Sequence, residues 1–308
     1  MDELLLPGSS PIISFRILFK AGSVLDPKGR EGLAALTAAM VSAAGSRTET
    51  YEQIVKAMYP MATAFSSQVD KEMSVFFGQT HTDNLDAYYR TISNMLLDPG
   101  WRGDDFARVR EDQINFLKVN LRASNEEELA KEQLYNFIYR DSRYGHTTEG
   151  TITAIERMTL EDVKWFHQQF YNQSNLLLGI SGGYPEGFVE KVEADFRARL
   201  PIGKTGAPPI PEPEKINGLG MQIVEKETRG IAISLGFPIE VTRSHPDYPA
   251  LLVAQSHFGQ HRSSNSLLFQ QIRQIRGMNY GDYAYIEYFP RGMFKFHPDP
   301  NLGRSKQI

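Results

Sequence analysis

The chain has 308 residues, 33 Lys and Arg against 37 Asp and Glu for a formal charge of −4, and no cysteine. That length exceeds what one hydrophobic core ordinarily supports and predicts two domains. The charge balance offers no basic field for nucleic acid or an anionic membrane, and the missing thiols exclude disulfides, thiolate catalysis and cysteine-based zinc sites. No apolar run approaches the roughly 18 residues of a membrane span, so no span is expected. The acidic opening "MDELLLPGSS" is unlike the basic start of a signal peptide. The chain reads as soluble and its compartment is not legible; a signal peptide already removed would be compatible with a bacterial periplasm.

In chain order, "ISFRILFKAGS" alternates Ile13, Phe15, Ile17 and Phe19 and predicts a half-buried strand. Helices follow from about Glu31 to Ala44 and in "TETYEQIVKAMY". Further helices are predicted in "NLDAYYRTISNMLL", "GDDFARVREDQINFLKVNLRA", "NEEELAKEQLYNFIYR" and "TLEDVKWFHQQFY", with Ser124 and Glu127 as a capping box for the third. The strand "NLLLGISGG" and the helix "PEGFVEKVEADFRARL" close the first unit. Pro208, Pro209, Pro211 and Pro213 then exclude helix and central strand. The division is a domain over 1–203, a Pro-rich linker over 204–219 and the start of a second domain over 220–308.

The second unit opens like the first. "IAISLGFPIEV" alternates Ile231, Ile233, Leu235 and Phe237, helices follow in "DYPALLVAQSHF" and "SLLFQQIRQI", and "YGDYAYIEYF" reads as a strand. This long-period recurrence predicts a duplicated unit rather than a solenoid. The fold class is α+β, with mostly antiparallel sheets and helices on one face. A duplicate would need roughly 110 residues beyond Ile308, more than a difference in loop length supplies. The second unit is therefore expected as a fragment with an exposed apolar patch.

From about Ile13 to Tyr288 the chain resembles the insulinase or pitrilysin-type (M16) zinc peptidases, which include mitochondrial processing peptidase. The resemblance rests on "KAGSVLDPKGREGLAALTAAM", "LLDPGWRGDDFARVRED", "YGHTTEGTITAIERMTLEDVKWFHQQFYNQSNLLLGISGG" and "LLFQQIRQIRGMNYGDYAY", in that order. In that family the stretch matching residues 32–40 carries H-x-x-E-H, two zinc-binding histidines and a general-base glutamate. The matching positions here are Ala35, Ala38 and Ala39, and the family's third ligand, a glutamate on a later helix, counts to Asn115. No carboxylate lies between Asp112 and Glu126 to replace it. A methyl group offers zinc no lone pair, so no catalytic residue and no cofactor are expected; zinc belongs to a partner subunit.

The resemblance also implies an arginine and a tyrosine seven positions apart that hold peptide in the cleft of the opposite half or partner. Arg273 and Tyr280 supply them, with Arg276 as the competing arginine. Physically, a guanidinium and a phenol both donate to carbonyl oxygens. "MATAFSSQ" matches the family's substrate-binding edge strand, adding Thr63, Ala64 and Phe65; a strand that merely completes the sheet explains that segment equally well. His257 and His261 in "HFGQH" have the spacing of a helical zinc pair, but Gln260 is no general base and Gly259 marks a helix end. His81, His146, His167, His245 and His297 stand alone and read as surface or capped side chains.

The function expected is a non-catalytic, substrate-binding subunit. It would partner a catalytic M16 subunit with intact H-x-x-E-H in hydrolysing peptides or unfolded polypeptides. Two alternatives remain: an active zinc peptidase with a displaced site at His257 and His261, or a structural core-type subunit of a larger assembly.

Overall fold

The computed structural model describes residues 2–140, 142–203, 218–239, 241, 243 and 245–288, with the backbone of 305–307. Two compact units emerge: Met1–Asn125 with His146–Pro209, and Glu126–Gly145 with Ile210–Ile308. The expected first domain over 1–203 thus differs in one respect. Residues Glu126–Gly145 leave it and pack with the second unit.

The first unit holds strands β1 (Asp2–Pro7), β2 (Ile12–Phe19), β3 (Phe65–Val69), β4 (Ser74–His81) and β5 (Leu176–Gly182), in the sheet order β1-β5-β2-β4-β3. Only β1 and β5 pair in parallel. Its helices are α1 (Leu33–Ala43), α2 (Tyr51–Met58), α3 (Leu85–Leu97), α4 (Gly103–Asn115), α6 (Ile152–Glu156), α7 (Leu160–Phe170) and α8 (Phe188–Arg199), and α5 (Glu126–Ile138) lies in the second unit.

The alternation of β2 decides which face of the sheet is covered. Ile13, Phe15, Ile17 and Phe19 are at most 2% exposed, each contributing roughly 1.5–3 kcal/mol by burial. Phe15 meets Tyr88 of α3 at 5.8 Å and Phe188 of α8 at 6.1 Å, while Phe19 stacks on Tyr171, just past α7, at 4.5 Å. On the other face Arg16 lies 4.6 Å over the Phe77 ring, a cation–π contact open to water. Helices α2 and α7 begin with reciprocal capping boxes, Thr50 with Gln53 and Thr159 with Asp162. The single helix expected over 103–123 changes winding at Asn115. A π-helical segment, Phe116–Ala123, continues it and buries Leu117 and Leu121.

His167, near the end of α7, is not the surface residue expected of an isolated histidine. Its ring lies edge-on to Trp101 and to Tyr171, 5.2 Å from each, and Nε2 donates to the Leu96 carbonyl at 3.4 Å. Burial pushes its pKa down to about 4. An unfolded histidine takes its proton near pH 6.5, whereas the folded one resists until about pH 4. The stabilisation from keeping it neutral is therefore whole above pH 6.5 and lost as pH falls from there towards 4, on the order of 3 kcal/mol in all. Melting temperatures at pH 7.5 and 4.5 should converge in His167→Gln relative to the parent; an unchanged difference between them would refute the assignment.

In the second unit, α5 (Glu126–Ile138) packs with residues near the chain's last third: Lys131 Nζ meets Tyr283 Oη at 3.1 Å and Tyr135 Oη meets Tyr285 Oη at 3.2 Å. The capping box expected from Ser124 and Glu127 gives way here. The helix starts at Glu126, and the Glu127 carboxylate accepts from Tyr283 and pairs with Lys131. Helix α9 (Tyr248–Gly259) forms as expected. Strands β6 (Phe237–Ile239), β7 (Ile286–Tyr288) and β8 (Ser305–Gln307) form an antiparallel sheet in the order β6-β8-β7.

The strand expected over 231–237 is largely absent. Ile231, Ile233 and Leu235 are 90%, 79% and 68% exposed, and only Phe237 enters β6. The apolar patch expected beside the last strand falls largely on residues outside the described ones. The linker up to residue 217 and the segment after Tyr288 that was expected to continue β7 lie outside the described residues.

Candidate functional site

Helix α1 owes its start to a residue six positions upstream of its cap. Gly32, at φ 101°, occupies the N-terminal cap without a side chain to offer. The buried Asp26 carboxylate accepts from the backbone N–H groups of Gly32 at 2.7 Å and Ala34 at 2.8 Å, and from His146 Nε2 at 3.3 Å. Burial pushes the Asp26 carboxyl above its ordinary range; His146 and the two N–H groups pull against that without reversing it. From α4, Gln113 donates through Nε2 to the Gly32 carbonyl at 3.1 Å and the Glu149 carbonyl at 2.8 Å. At the other end of α1, Arg108 donates to the Ala43 carbonyl, where a cation complements the helix dipole.

This helix is almost wholly buried, and its half-exposed stripe is Ala35, Ala39 and Ala43, spaced by four. Ala38 is 1% exposed. Ser42, three residues beyond Ala39, contacts Ser67 of β3 through its hydroxyl at 2.9 Å, tying the helix to the edge strand. Asn115 is exposed at the end of α4. The three methyl groups and one carboxamide do not fit a zinc ion, whose protein ligands are imidazole, thiolate and carboxylate. Among the described residues no group of three His, Cys, Asp or Glu side chains could hold a metal.

Strand β3 is an outer strand of its sheet, paired only with β4. Just before it, Thr63 donates its hydroxyl to the Gln79 carbonyl, and the Ala64 carbonyl accepts from Tyr88 Oη at 2.9 Å. Phe65 is buried against Phe76, with ring centroids 5.9 Å apart. Hydrogen bonding of Thr63 and Ala64 is thus directed inward, while among the described residues no further strand pairs with the backbone edge of Phe65–Val69.

In the second unit the chain brings Arg273 and Tyr280 together. A π-helical turn, Phe269–Gln274, carries the arginine. Gly277, at φ 62°, ends the turn: its N–H donates to the Arg273 carbonyl at 2.9 Å, and the Met278 N–H donates to the Ile272 carbonyl at 3.1 Å. That reversal returns Tyr280 over the guanidinium at 4.3 Å, with Phe269 at 4.7 Å. Tyr280 is 84% exposed. Aromatic faces hold the guanidinium in plane and leave its edge N–H groups for acceptors. Arg276 instead donates to Gln271 of its own turn.

His257 and His261 do not share a face. The helix ends at Gly259, Gln260 is extended at ψ 127°, and the His261 ring packs edge-on to Tyr283 at 4.9 Å. Of the other histidines, His81 and His245 are partly exposed beside Asp83 and Asp247, whereas His146 and His167 face inward. His297 lies outside the described residues. Asp26, Gln113 and His146 escaped the sequence reading because their partners lie 6 to 120 positions away, beyond any local motif.

The first unit thus sets a helix without metal donors beside the outer strand of its sheet. Two family models match: Insulinase (Peptidase family M16) over residues 8–152 and the Peptidase M16 inactive domain over 157–299. The chain belongs to peptidase family M16. It is 24% identical to an uncharacterized zinc protease of Rickettsia bellii, across 92% of this chain and 67% of that protein. It is 22% identical to a Mycobacterium leprae zinc protease, across 79% of this chain and 54% of that protein. Among solved structures, a peptidase M16 inactive domain from Pseudomonas fluorescens superposes with TM-score 0.72 at 20% identity, covering 99% of this chain and 70% of that one. A Helicobacter pylori protease does so with TM-score 0.73 at 16% identity, covering 99% and 71%.

Proposed function

We propose that this chain is the non-catalytic, substrate-binding member of an M16-type peptidase, working with a partner subunit that carries zinc and an intact H-x-x-E-H motif. The observation that carries this reading is the pairing of Arg273 with Tyr280 on a chain whose α1 has no metal donor. A guanidinium held between two rings presents donors to peptide carbonyls, and the phenol adds another. Strand β3 offers an unpaired backbone edge on which an extended peptide could add. The names of relatives as zinc proteases support hydrolysis of peptide bonds as the reaction served. In this reading the partner performs it.

Elemental analysis of the purified chain is expected to find no zinc bound at α1, and peptide-cleavage assays no turnover by the chain alone. Mixing with a zinc-bearing M16 partner should produce cleavage that chelator abolishes. Tightly bound zinc together with chelator-sensitive cleavage by the isolated chain would overturn the proposal in favour of a displaced metal site.

A further inference from the structure

A concave site lies in the first unit, between the ends of α3 and α8 and one side of α7, and is lined by residues that the proposed peptidase role does not use. It is a cavity of about 410 Å³, within the roughly 300–1,000 Å³ range of small-molecule sites. Its walls are apolar: Leu97, Trp101, Tyr171 and Leu200. Two cations, Lys164 and Arg199, also line it, and no carboxylate does.

Neither cation is locked in place. Lys164 Nζ meets Glu161 at 2.6 Å, but the glutamate side chain is 78% exposed, and such a surface pair exchanges readily with another anion. Arg199 is exposed and touches Asn94 Oδ1 at 3.5 Å, whereas Arg197 two residues earlier is paired with Glu193 at 3.1 Å. Among the described residues no carboxylate lies within salt-bridge distance of Arg199.

The backbone at Trp101 is an independent observation. This residue sits at φ 49°, in the left-handed region that costs a non-glycine residue about 1–2 kcal/mol. The loop is held there by the Gly100 N–H on the Gly45 carbonyl at 3.1 Å and by Arg102 Nη2 on the Ser46 carbonyl at 2.8 Å. Glycine would occupy the position without strain; tryptophan places an aromatic wall on the cavity. Strain held by its surroundings is characteristic of binding sites. His167, also in the lining, places its proton on Nε2 towards the Leu96 carbonyl, which leaves Nδ1 as an acceptor.

We infer that this cavity binds a small aryl carboxylate, its ring against Trp101 and its charge on Arg199 with Lys164. The test uses the intact chain bearing Trp165→Phe, so that Trp101 is its sole tryptophan and reports occupancy by fluorescence. The probes are 3-phenylpropionate and the uncharged 3-phenylpropanamide. The carboxylate should saturate the signal, and the amide should bind at least about tenfold more weakly, the scale of one charge-assisted hydrogen bond. Arg199→Gln should weaken carboxylate binding about tenfold and Lys164→Gln somewhat less, with circular dichroism unchanged. Arg197→Gln, whose partner is already Glu193, should leave it as it was. No saturable response to the carboxylate, equal affinity for acid and amide, or equal losses from Arg197→Gln and Arg199→Gln would each overturn the inference.

Discussion

Replacing Gly150 by alanine should lower the melting temperature by roughly 10 °C, through a loss of about 2–5 kcal/mol. Gly150 sits at φ 84°, where an L side chain is strained. An added Cβ would lie 1.9 Å from the Glu31 carbonyl oxygen, 2.4 Å from its carbon and 2.6 Å from Gly32 Cα, all backbone atoms. None can turn aside as a flexible side chain would, so the segment before α1 and the loop through Glu149 must move apart. That separation pulls the Gly32 and Glu149 carbonyls away from the Gln113 carboxamide they share. The cost joins a left-handed penalty of about 1–2 kcal/mol to the 1–3 kcal/mol of forced overpacking. For a unit of this size each kcal/mol moves the midpoint by about 2–4 °C. Gly29→Ala is the control, because Gly29 has the same sign of φ, 79°, with nothing within 4 Å of an added Cβ. Thermal melts in which the two variants fall by equal amounts would show that the two backbones are not in close contact.

The second large effect concerns the proposed substrate contacts. Arg273→Ala should slow peptide cleavage by the reconstituted pair about tenfold to a hundredfold. Truncating a charge-assisted hydrogen bond is worth roughly 1.5–3 kcal/mol, and 1.36 kcal/mol is a factor of ten in rate. Arg276→Ala should do much less, since that side chain is engaged with Gln271 on its own turn. Tyr280→Phe keeps the ring that flanks the guanidinium and removes only the hydroxyl, so its loss should be the smaller of the two at the pair. Association of the subunits should survive each change, as neither side chain is buried in a core. Turnover measured with the zinc-bearing partner decides the matter. Equal effects of Arg273→Ala and Arg276→Ala would void the assignment, and no effect from either would favour a structural subunit.

What the sequence could convey depended on how local the cause was. The faces of β2 and the span of α1 were legible, because an alternation or a helical period records which side is buried. The same alternation at Ile231, Ile233 and Leu235 misled: it marks a segment able to form a strand but not whether a neighbouring strand is there to pair with it. The capping box at Ser124 failed for a related reason, since Tyr283 and Lys131 engage Glu127 from elsewhere in the fold. Histidines isolated in sequence were given no partner, yet His146 meets Asp26 across 120 positions. That Ala35, Ala38, Ala39 and Asn115 match the family's ligand and base positions followed from resemblance; that none carries a zinc-donor side chain is plain in the sequence. The meeting of Arg273 with Tyr280 followed from resemblance alone; its physical cause is the left-handed turn at Gly277.

The alanine stripe of α1 also bears on how the chain matures. Alanine has the highest intrinsic helix propensity, and here the helix is fixed at its start by Asp26 and Gln113 and at its end by Arg108. Where metal ligation closes a site, folding free energy becomes tied to the supply of the ion. Helix α1 is instead secured by a carboxylate, a carboxamide and a guanidinium. The chain should reach its native state in metal-starved cells and keep the same melting temperature in EDTA, which thermal melts with and without chelator would check.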